Sequence, residues 1–445
     1  MDSTAALVET DRRHLIHPLH HARDHEHPVL VVEGRGEILI DAEGKQYIDG
    51  LSSLWNVNAG HGRKELADAA AGQMAKLSFA SAYVGASNIP SIRLAEKLVK
   101  LAYPSTSGVY FTTAGAESNE SAFKIARYYW KLRGKPDKVK IFSRVHAYHG
   151  LTIAAMSATG MAAYHKMFGP LVPNFLQVPA PYPYRWPGND DPGIGAAEAF
   201  ERAIVKEGPE TVAAIIAEPV MGAGGVIVPP ATYFPRLREI CDRHGILLIA
   251  DEVITGFGRT GRWFAVEHDG VVPDLMTVAK GITSGYIPLS AAITRRRLAD
   301  AFPDDAKQEN VHPGTYAGHP VACAAALANI QIMEKDNLVA NAAAMGERLK
   351  DGLQQAVGKK RIVGEVRGRG LMVCAELVAP DGSGRPLDQD MLTRLDRKAW
   401  TRGVIVSARG QVVRLAPPLC ITREEVDTLV DVVAASIGEL EAELV

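Results

Sequence analysis

The chain has 445 residues, of which 47% are hydrophobic and 22% charged, and its formal net charge is −2. That length exceeds what one hydrophobic core fills, so two domains are expected. The near-neutral balance gives no electrostatic basis for nucleic acid or an anionic membrane surface as a partner. Cys241, Cys323, Cys374 and Cys420 lie far apart without a CxxC pair, a pattern that fits a reducing compartment and offers no cysteine-based metal site.

At the N-terminus, Met1 to Arg13 contains no apolar stretch of the kind a secretory signal needs, and no segment reaches the roughly eighteen apolar residues of a membrane helix. A cytoplasmic location is expected. Six histidines crowd into His14 to His27; a metal site is conceivable there, but a polar surface segment is the preferred reading, and no metal is assigned.

Gly34 to Gly50 alternates apolar and polar residues around Ala42-Glu43-Gly44, which describes an antiparallel hairpin. From Gly60 onward short apolar runs alternate with helical patterns, the rhythm of parallel strands joined by crossover helices. Pro179 to Gly195 reads as one long Pro/Gly-rich loop, and the Ala-rich run Pro320 to Met333 as a buried helix. The alternation from Arg361 to Leu377 and the run Val412 to Leu415 predict a second α+β unit, with the N-terminal hairpin a candidate to share its sheet.

The apolar runs end in charges. Thr211 to Ala217 is closed by Glu218, Gly245 to Ala250 by Asp251 and Glu252, and Leu275 to Ala279 by Lys280. Continuous apolar runs fit strands buried on both faces of a parallel sheet, and ligands bind at the carboxyl edge of such a sheet. A single lysine or carboxylate at a strand end is usually a solvated or capping residue. The conjunction of Glu218, Asp251 and Lys280 at one edge instead predicts a site, with structural ion pairing as the alternative.

Two further strands point to the same edge. Gly108 to Thr112 leads through small residues around Gly115 and Ala116 into a helix with apolar positions Ala122, Phe123, Ala126, Tyr129 and Trp130. Its N-terminus could take a phosphate, and equally could be a plain strand-to-helix turn. Val139 to Ser143 leads to Ala147-Tyr148-His149-Gly150, where Tyr148 either stacks on a planar ligand or seals the core.

Together these motifs resemble the class III, or omega, aminotransferases, pyridoxal-phosphate enzymes of fold type I. The resemblance runs from about Val29 to Thr422 and is carried by LWNVNAGHGR (Leu54 to Arg63), AEPVMGAGGVIVPP (Ala217 to Pro230), ADEVITGFGRTG (Ala250 to Gly261), AKG (Ala279 to Gly281) and GTYAGHP (Gly314 to Pro320). It implies an α/β architecture: a large domain over 60–318 around a mostly parallel, seven-stranded sheet, and a smaller α+β domain built from 1–59 and 319–445.

The resemblance further implies that Lys280 forms the Schiff base with pyridoxal 5′-phosphate and carries the proton, while Asp251 pairs with the pyridine nitrogen and keeps it protonated. Gly115 and Ala116 match the phosphate loop, Tyr148 and Val253 the two ring faces, and Glu218 the adjoining hydrogen-bond network. Thr315 is expected from the partner subunit of a homodimer. Many relatives read Gly-Ser where this chain reads Gly115-Ala116, so one hydroxyl contact to the phosphate is missing. Trp55, Phe79, Tyr83 and Ala223 match substrate-pocket positions, and Arg414 the arginine that grips the carboxylate of the keto acid. The implied activity is ping-pong transfer of an amino group from an omega-amino acid or amine to pyruvate. Taurine- or diamine-preferring transfer, and a decarboxylase or aminomutase of the same fold, are the alternatives.

Overall fold

The computed structural model describes residues 3–18, 28–83, 85–301 and 312–444. Near the N-terminus, β1 (Val31–Arg35), β2 (Ile38–Asp41) and β3 (Gln46–Asp49) pair antiparallel in succession. The predicted turn is tied by Asp41, whose Oδ1 accepts from the amides of Glu43 and Lys45 at 3.0 and 2.9 Å, the local bonding that makes aspartate a turn residue. In the His-rich segment, His14 ends a helix starting at Thr4 and His17 contacts Asp11 at 2.9 Å; His20, His21, His25 and His27 lie outside the described residues. Among the described residues no group of three or more side chains is arranged to hold a metal ion.

Seven strands form the central sheet: β4 (Thr106–Thr112), β5 (Lys140–Arg144), β6 (Phe175–Val178), β7 (Val212–Ala217), β8 (Leu247–Asp251), β9 (Leu275–Val278) and β10 (Ser290–Arg295). Their order is β4-β10-β9-β8-β7-β5-β6. The run from β9 to β6 is parallel, and β10 alone is antiparallel to its neighbours. The run of apolar residues has a simple cause. Ile215, Leu248 and Ala250 enter one core, with Phe200, Phe234 and Leu237; Ile216, Leu247 and Ile249 enter the other, against Phe123, Ala126 and Trp130 of helix Gly115–Leu132. With both faces covered, every position must be apolar, each large side chain contributing about 1.5–3 kcal/mol of burial.

Two further sheets use the C-terminal strands: β11 (Val363–Gly368), β12 (Val373–Leu377), β13 (Val404–Ile405), β14 (Ser407–Arg409) and β15 (Val412–Leu415). Four of them make an antiparallel sheet in the order β11-β12-β15-β14, while β13 joins the N-terminal sheet, parallel to β3. The helix read over Pro320 to Met333 extends to Lys335 and is largely buried.

One expectation is corrected. Pro179 to Gly195 is not a continuous loop: a short turn occupies Pro183–Arg185, and a helix begins at Pro192. Asp191 caps that helix, accepting from the Ile194 amide at 2.9 Å and from Thr232 Oγ1 at 2.7 Å, and Pro192 supplies a helical φ at a position that needs no donor. Cap chemistry outweighs the loop-like composition.

Arg259 fastens the termini to the large sheet. Its fully buried guanidinium donates to Ser52 Oγ and Asn58 Oδ1 at 2.9 and 2.8 Å and to the carbonyls of Leu371 and Pro417. Arg259→Ala leaves these acceptors without their donor, so unfolding free energy is expected to fall by about 3 kcal/mol or more. Denaturant titration of the variant against the parent protein measures this, and a change within about 0.5 kcal/mol refutes the role.

Candidate active site

The parallel strands deliver their carboxyl ends to one edge, and a cavity of about 200 Å³ opens there, lined by Gly115, Ala116, Tyr148, Glu218, Asp251, Val253 and Lys280. All seven were singled out in the sequence. Glu252, which follows Asp251, serves another purpose: it is buried and accepts from Thr255 Oγ1 and the amides of Ala265 and Val266.

Lys280 stands just beyond β9 with a φ of 44°, a left-handed backbone that costs a non-glycine residue about 1–3 kcal/mol and persists only when neighbours impose it. Here they do. Asn329 Nδ2 donates to the carbonyls of Gly281 and Ile282 at 2.8 and 3.0 Å. A Cβ on Gly281 would lie 2.4 Å from Asn58 Nδ2, which explains why glycine must follow the lysine. The Lys280 amine lies deep in the site; burial pulls its pKa below 10.5, against the opposing pull of Asp251 and Glu218.

Asp251 is held on three sides. Its Oδ1 accepts from the Val253 amide at 3.0 Å, and its Oδ2 from Asn119 Nδ2 at 2.8 Å, with His149 Nδ1 at 2.7 Å. Thr277 Oγ1 donates to Asn119 Oδ1 at 2.7 Å, fixing the amide's orientation. Glu218 accepts from the Tyr148 amide and the Gly222 amide, both at 3.0 Å, and burial raises its pKa.

Helix Gly115–Leu132 begins at the cavity and no side chain caps its first amides, so they are free for an anion. The approach is close: a Cβ on Gly115 would fall 2.7 Å from Val253 Cγ1, and one on Gly150, at φ 110°, 2.4 Å from Ala116 Cβ. These observations fit pyridoxal phosphate. The uncapped amides suit its phosphate, Tyr148 and Val253 the ring, Asp251 the ring nitrogen, and the desolvated lysine its aldehyde.

The remaining substrate candidates are dispersed. Trp55 is buried in one cluster with Val220 and Ile254, both residues of the cavity wall. Arg414 Nη2 donates to the carbonyl of Ala223 at 2.9 Å. Phe79 and Tyr83 are 41% and 40% exposed, Thr315 is exposed too, and none of the three lines the cavity. Sequence reasoning missed Asn119 and Thr277 and left His149 without a role. No local signal marks these residues, because each is bonded to a partner distant in the chain.

Residues 20–437 match the family Aminotransferase class-III. The chain belongs to the class III aminotransferases. It is 39% identical to a diaminobutyrate–2-oxoglutarate transaminase of Halomonas elongata, over 95% of this chain and 94% of that one. It is 37% identical to a taurine–pyruvate aminotransferase of Bilophila wadsworthia, over 96% and 95%. Among solved structures, an (S)-enantioselective omega-transaminase from Thermomicrobium roseum superposes with a TM-score of 0.96 at 44% identity, covering 99% of each chain. Aminotransferases of this class depend on pyridoxal 5′-phosphate, in agreement with the fit of the cavity, and the seven-stranded, mostly parallel sheet is that of fold type I.

Two outcomes follow for this aminotransferase. Because burial lowers the pKa of its amine, Lys280 in the cofactor-free protein is expected to condense with pyridoxal phosphate at a rate that rises with pH and levels off below pH 10.5; borohydride trapping across pH checks it, and an inflection at or above 10.5 refutes it. Ala116→Ser adds the hydroxyl that the phosphate loop lacks and is expected to slow cofactor loss on dialysis. Equal loss from both proteins counts against a weakened phosphate grip.

Proposed function

We propose that this aminotransferase moves the amino group of an omega-amino acid or simple amine to pyruvate in two alternating half-reactions, the donor leaving as aldehyde or ketone before the keto acid binds. The observation that carries the reading is a cation, Arg414, bonded to the loop that follows Glu218 and with no carboxylate in ion-pairing contact among the described residues; Asp396 pulls on it only from a distance. Among the described residues the Arg414 guanidinium donates only to the carbonyls of Ala223 and Arg409, and its buried Nε has no partner. A structural arginine would be neutralised by a carboxylate. This one is matched to a carboxylate that arrives with substrate, and its planar fork suits that task.

Bound pyridoxal phosphate supplies the electron sink for the charge left when the donor Cα–H bond breaks. Lys280 Nζ would hold the cofactor through its aldehyde carbon, and its free amine would be the base that moves the proton of the donor Cα. Asp251, fixed by three hydrogen-bonding neighbours, would pair with the ring nitrogen. Gly115 and Ala116 offer amides to the phosphate, and Glu218 fixes the Tyr148 backbone beneath the ring. We assign Trp55 to the apolar side of the substrate pocket; Phe79 and Tyr83, which do not line the cavity of one chain, join it where a second copy completes the site. Exposed Phe79, Tyr316, Ile89 and Ile92, with exposed Thr315, are surfaces we assign to a second copy of the chain, which brings Thr315 to the phosphate of its partner.

We further assign 1–59 with 319–445 to one domain and 60–318 to the other. Among the described residues no helix is long and apolar enough to cross a membrane, and the four cysteines are free, which supports a cytoplasmic setting. The names of the two relatives favour a second reading of the donor, a diamine or taurine; a donor panel run with pyruvate and with 2-oxoglutarate distinguishes these. A decarboxylase or aminomutase reading predicts carbon dioxide release, or amino transfer without added keto acid.

Arg414→Ala is expected to lower kcat/KM for pyruvate by roughly thirtyfold, about 2 kcal/mol, while a neutral aldehyde acceptor loses far less. Steady-state kinetics with pyruvate and propanal give the comparison. Equal losses would sink the carboxylate role.

A further inference from the structure

The loop Met221–Ile227 lies between the cavity and the C-terminal sheet, closed by hydrogen bonds in both directions between Met221 and Ile227 at 3.0 and 3.1 Å. It begins three residues after Glu218 and carries Ala223. Its glycines have steric causes. A Cβ on Gly222 would lie 2.7 Å from Ile254 Cδ1, one on Gly224 2.3 Å from the His146 carbonyl oxygen, and Gly225 has a φ of 122°. A backbone so rich in glycine takes its shape from whatever holds it.

What holds it is a row of side chains. Strand register sets Arg367 of β11 opposite Cys374 of β12, and Cys374 opposite Arg414 of β15, so three adjacent strands present one aligned row. All three side chains reach the loop. Arg367 donates from Nη2 to the Gly225 carbonyl at 2.5 Å and from Nε to the Val226 carbonyl at 3.0 Å. Cys374 Sγ lies 3.4 Å from the same Gly225 oxygen, and Arg414 reaches Ala223, two residues earlier.

The two arginines are compensated differently. Arg367 is only 7% exposed and paired with Glu376 at 2.6 Å and Glu365 at 2.7 Å, with its guanidinium 4.9 Å from the ring centre of Tyr182 and Nη2 donating to that tyrosine's hydroxyl at 3.0 Å. Glu376 also accepts from Tyr182 and Arg185. That network is closed and has no vacancy for substrate. Its remaining donors go to loop carbonyls, so its output is the position of the loop.

We propose that Arg367 is a positioning residue for recognition of the substrate carboxylate: by clamping Gly225 and Val226 it sets the Ala223 carbonyl where it holds the Arg414 guanidinium at the cavity. The inference rests on the role of Arg414 given above and adds a residue that touches neither substrate nor cofactor. A shift of the loop moves the anchor of Arg414, and misplacement of a charged contact by about 1 Å is enough to cost large factors in rate.

The test uses holoenzyme and the acceptors pyruvate and propanal, with Arg367→Met and the conservative Arg367→Lys. Arg367→Met is expected to raise KM for pyruvate at least about tenfold with little change in kcat, to leave propanal turnover within about twofold, and Arg367→Lys to restore part of the difference. In an Arg414→Ala background the same change is expected to leave the pyruvate-to-propanal ratio where Arg414→Ala alone puts it, since a residue acting through Arg414 has nothing left to position. If Arg414→Ala shifts the ratio and Arg367→Met does not, or the double variant shifts it further, the positioning role is overturned while the substrate reading stands. If Arg414→Ala leaves the ratio unchanged, the substrate reading fails and takes this inference with it. Should Arg367→Met not yield folded holoenzyme, Arg367→Lys is read alone: an unchanged KM for pyruvate overturns the proposal.

Discussion

A carboxylate taken out of water at the end of a buried strand must be hydrogen-bonded or it takes up a proton. Asp251 meets that demand through Asn119, His149 and the Val253 amide, and much of the site is organised to supply those three contacts. Asn119 comes from the first turns of the helix whose uncapped N-terminus opens on the cavity, so that terminus and Asp251 are fixed by one rigid element. Thr277, which orients Asn119, sits on β9 immediately before the turn that presents Lys280. Asp251, Asn119 and Thr277 therefore form a short chain of buried hydrogen bonds that runs from the helix start to the strand leading to Lys280.

The same demand explains how the rest of the chain closes around that edge. The segments before and after the large sheet meet where Ala416 donates to the Gly50 carbonyl at 2.7 Å and Leu419 to Asn58 at 2.8 Å. Arg259 adds a charged donor across this seam, and Asn58 in turn donates to the Phe257 carbonyl at 2.7 Å while packing against Gly281. The contacts that join the terminal segments thus end beside Lys280, so loosening the seam and loosening the lysine turn are coupled.

What could be read from the sequence follows from which constraints are local. Strands buried on both faces announce themselves as unbroken apolar runs, and the charges that end them are conspicuous because the runs are clean; Glu218, Asp251 and Lys280 were legible for that reason. The start of the helix at Pro192 was misread because two glycines and a proline resemble a loop until the Asp191 cap is weighed. Asn119, Thr277 and His149 are silent in sequence: their partners lie 132, 158 and 102 residues away, and only the sheet order joins them. The row Arg367, Cys374 and Arg414 is harder still, since it exists only once the register of three strands is fixed and a shift of one residue would turn a member to the opposite face.

That row also separates two uses of a buried cation. Arg367 and Arg414 stand on one face of one sheet with a single cysteine between them, yet Arg367 has two carboxylates and an aromatic face while Arg414 has two carbonyl oxygens. Carbonyl dipoles offset only part of the cost of removing a guanidinium from water, so Arg414, which has no carboxylate in contact and feels Asp396 only from a distance, is less fully compensated than Arg367. Were both arginines paired, the row would be a stable wall. Were neither paired, two like charges on one row would repel and the loop between them would lose its fixed height. Pairing one and leaving the other open gives a rigid support next to a single charge without a carboxylate in contact, and both hold the loop that begins three residues after Glu218 of the cavity.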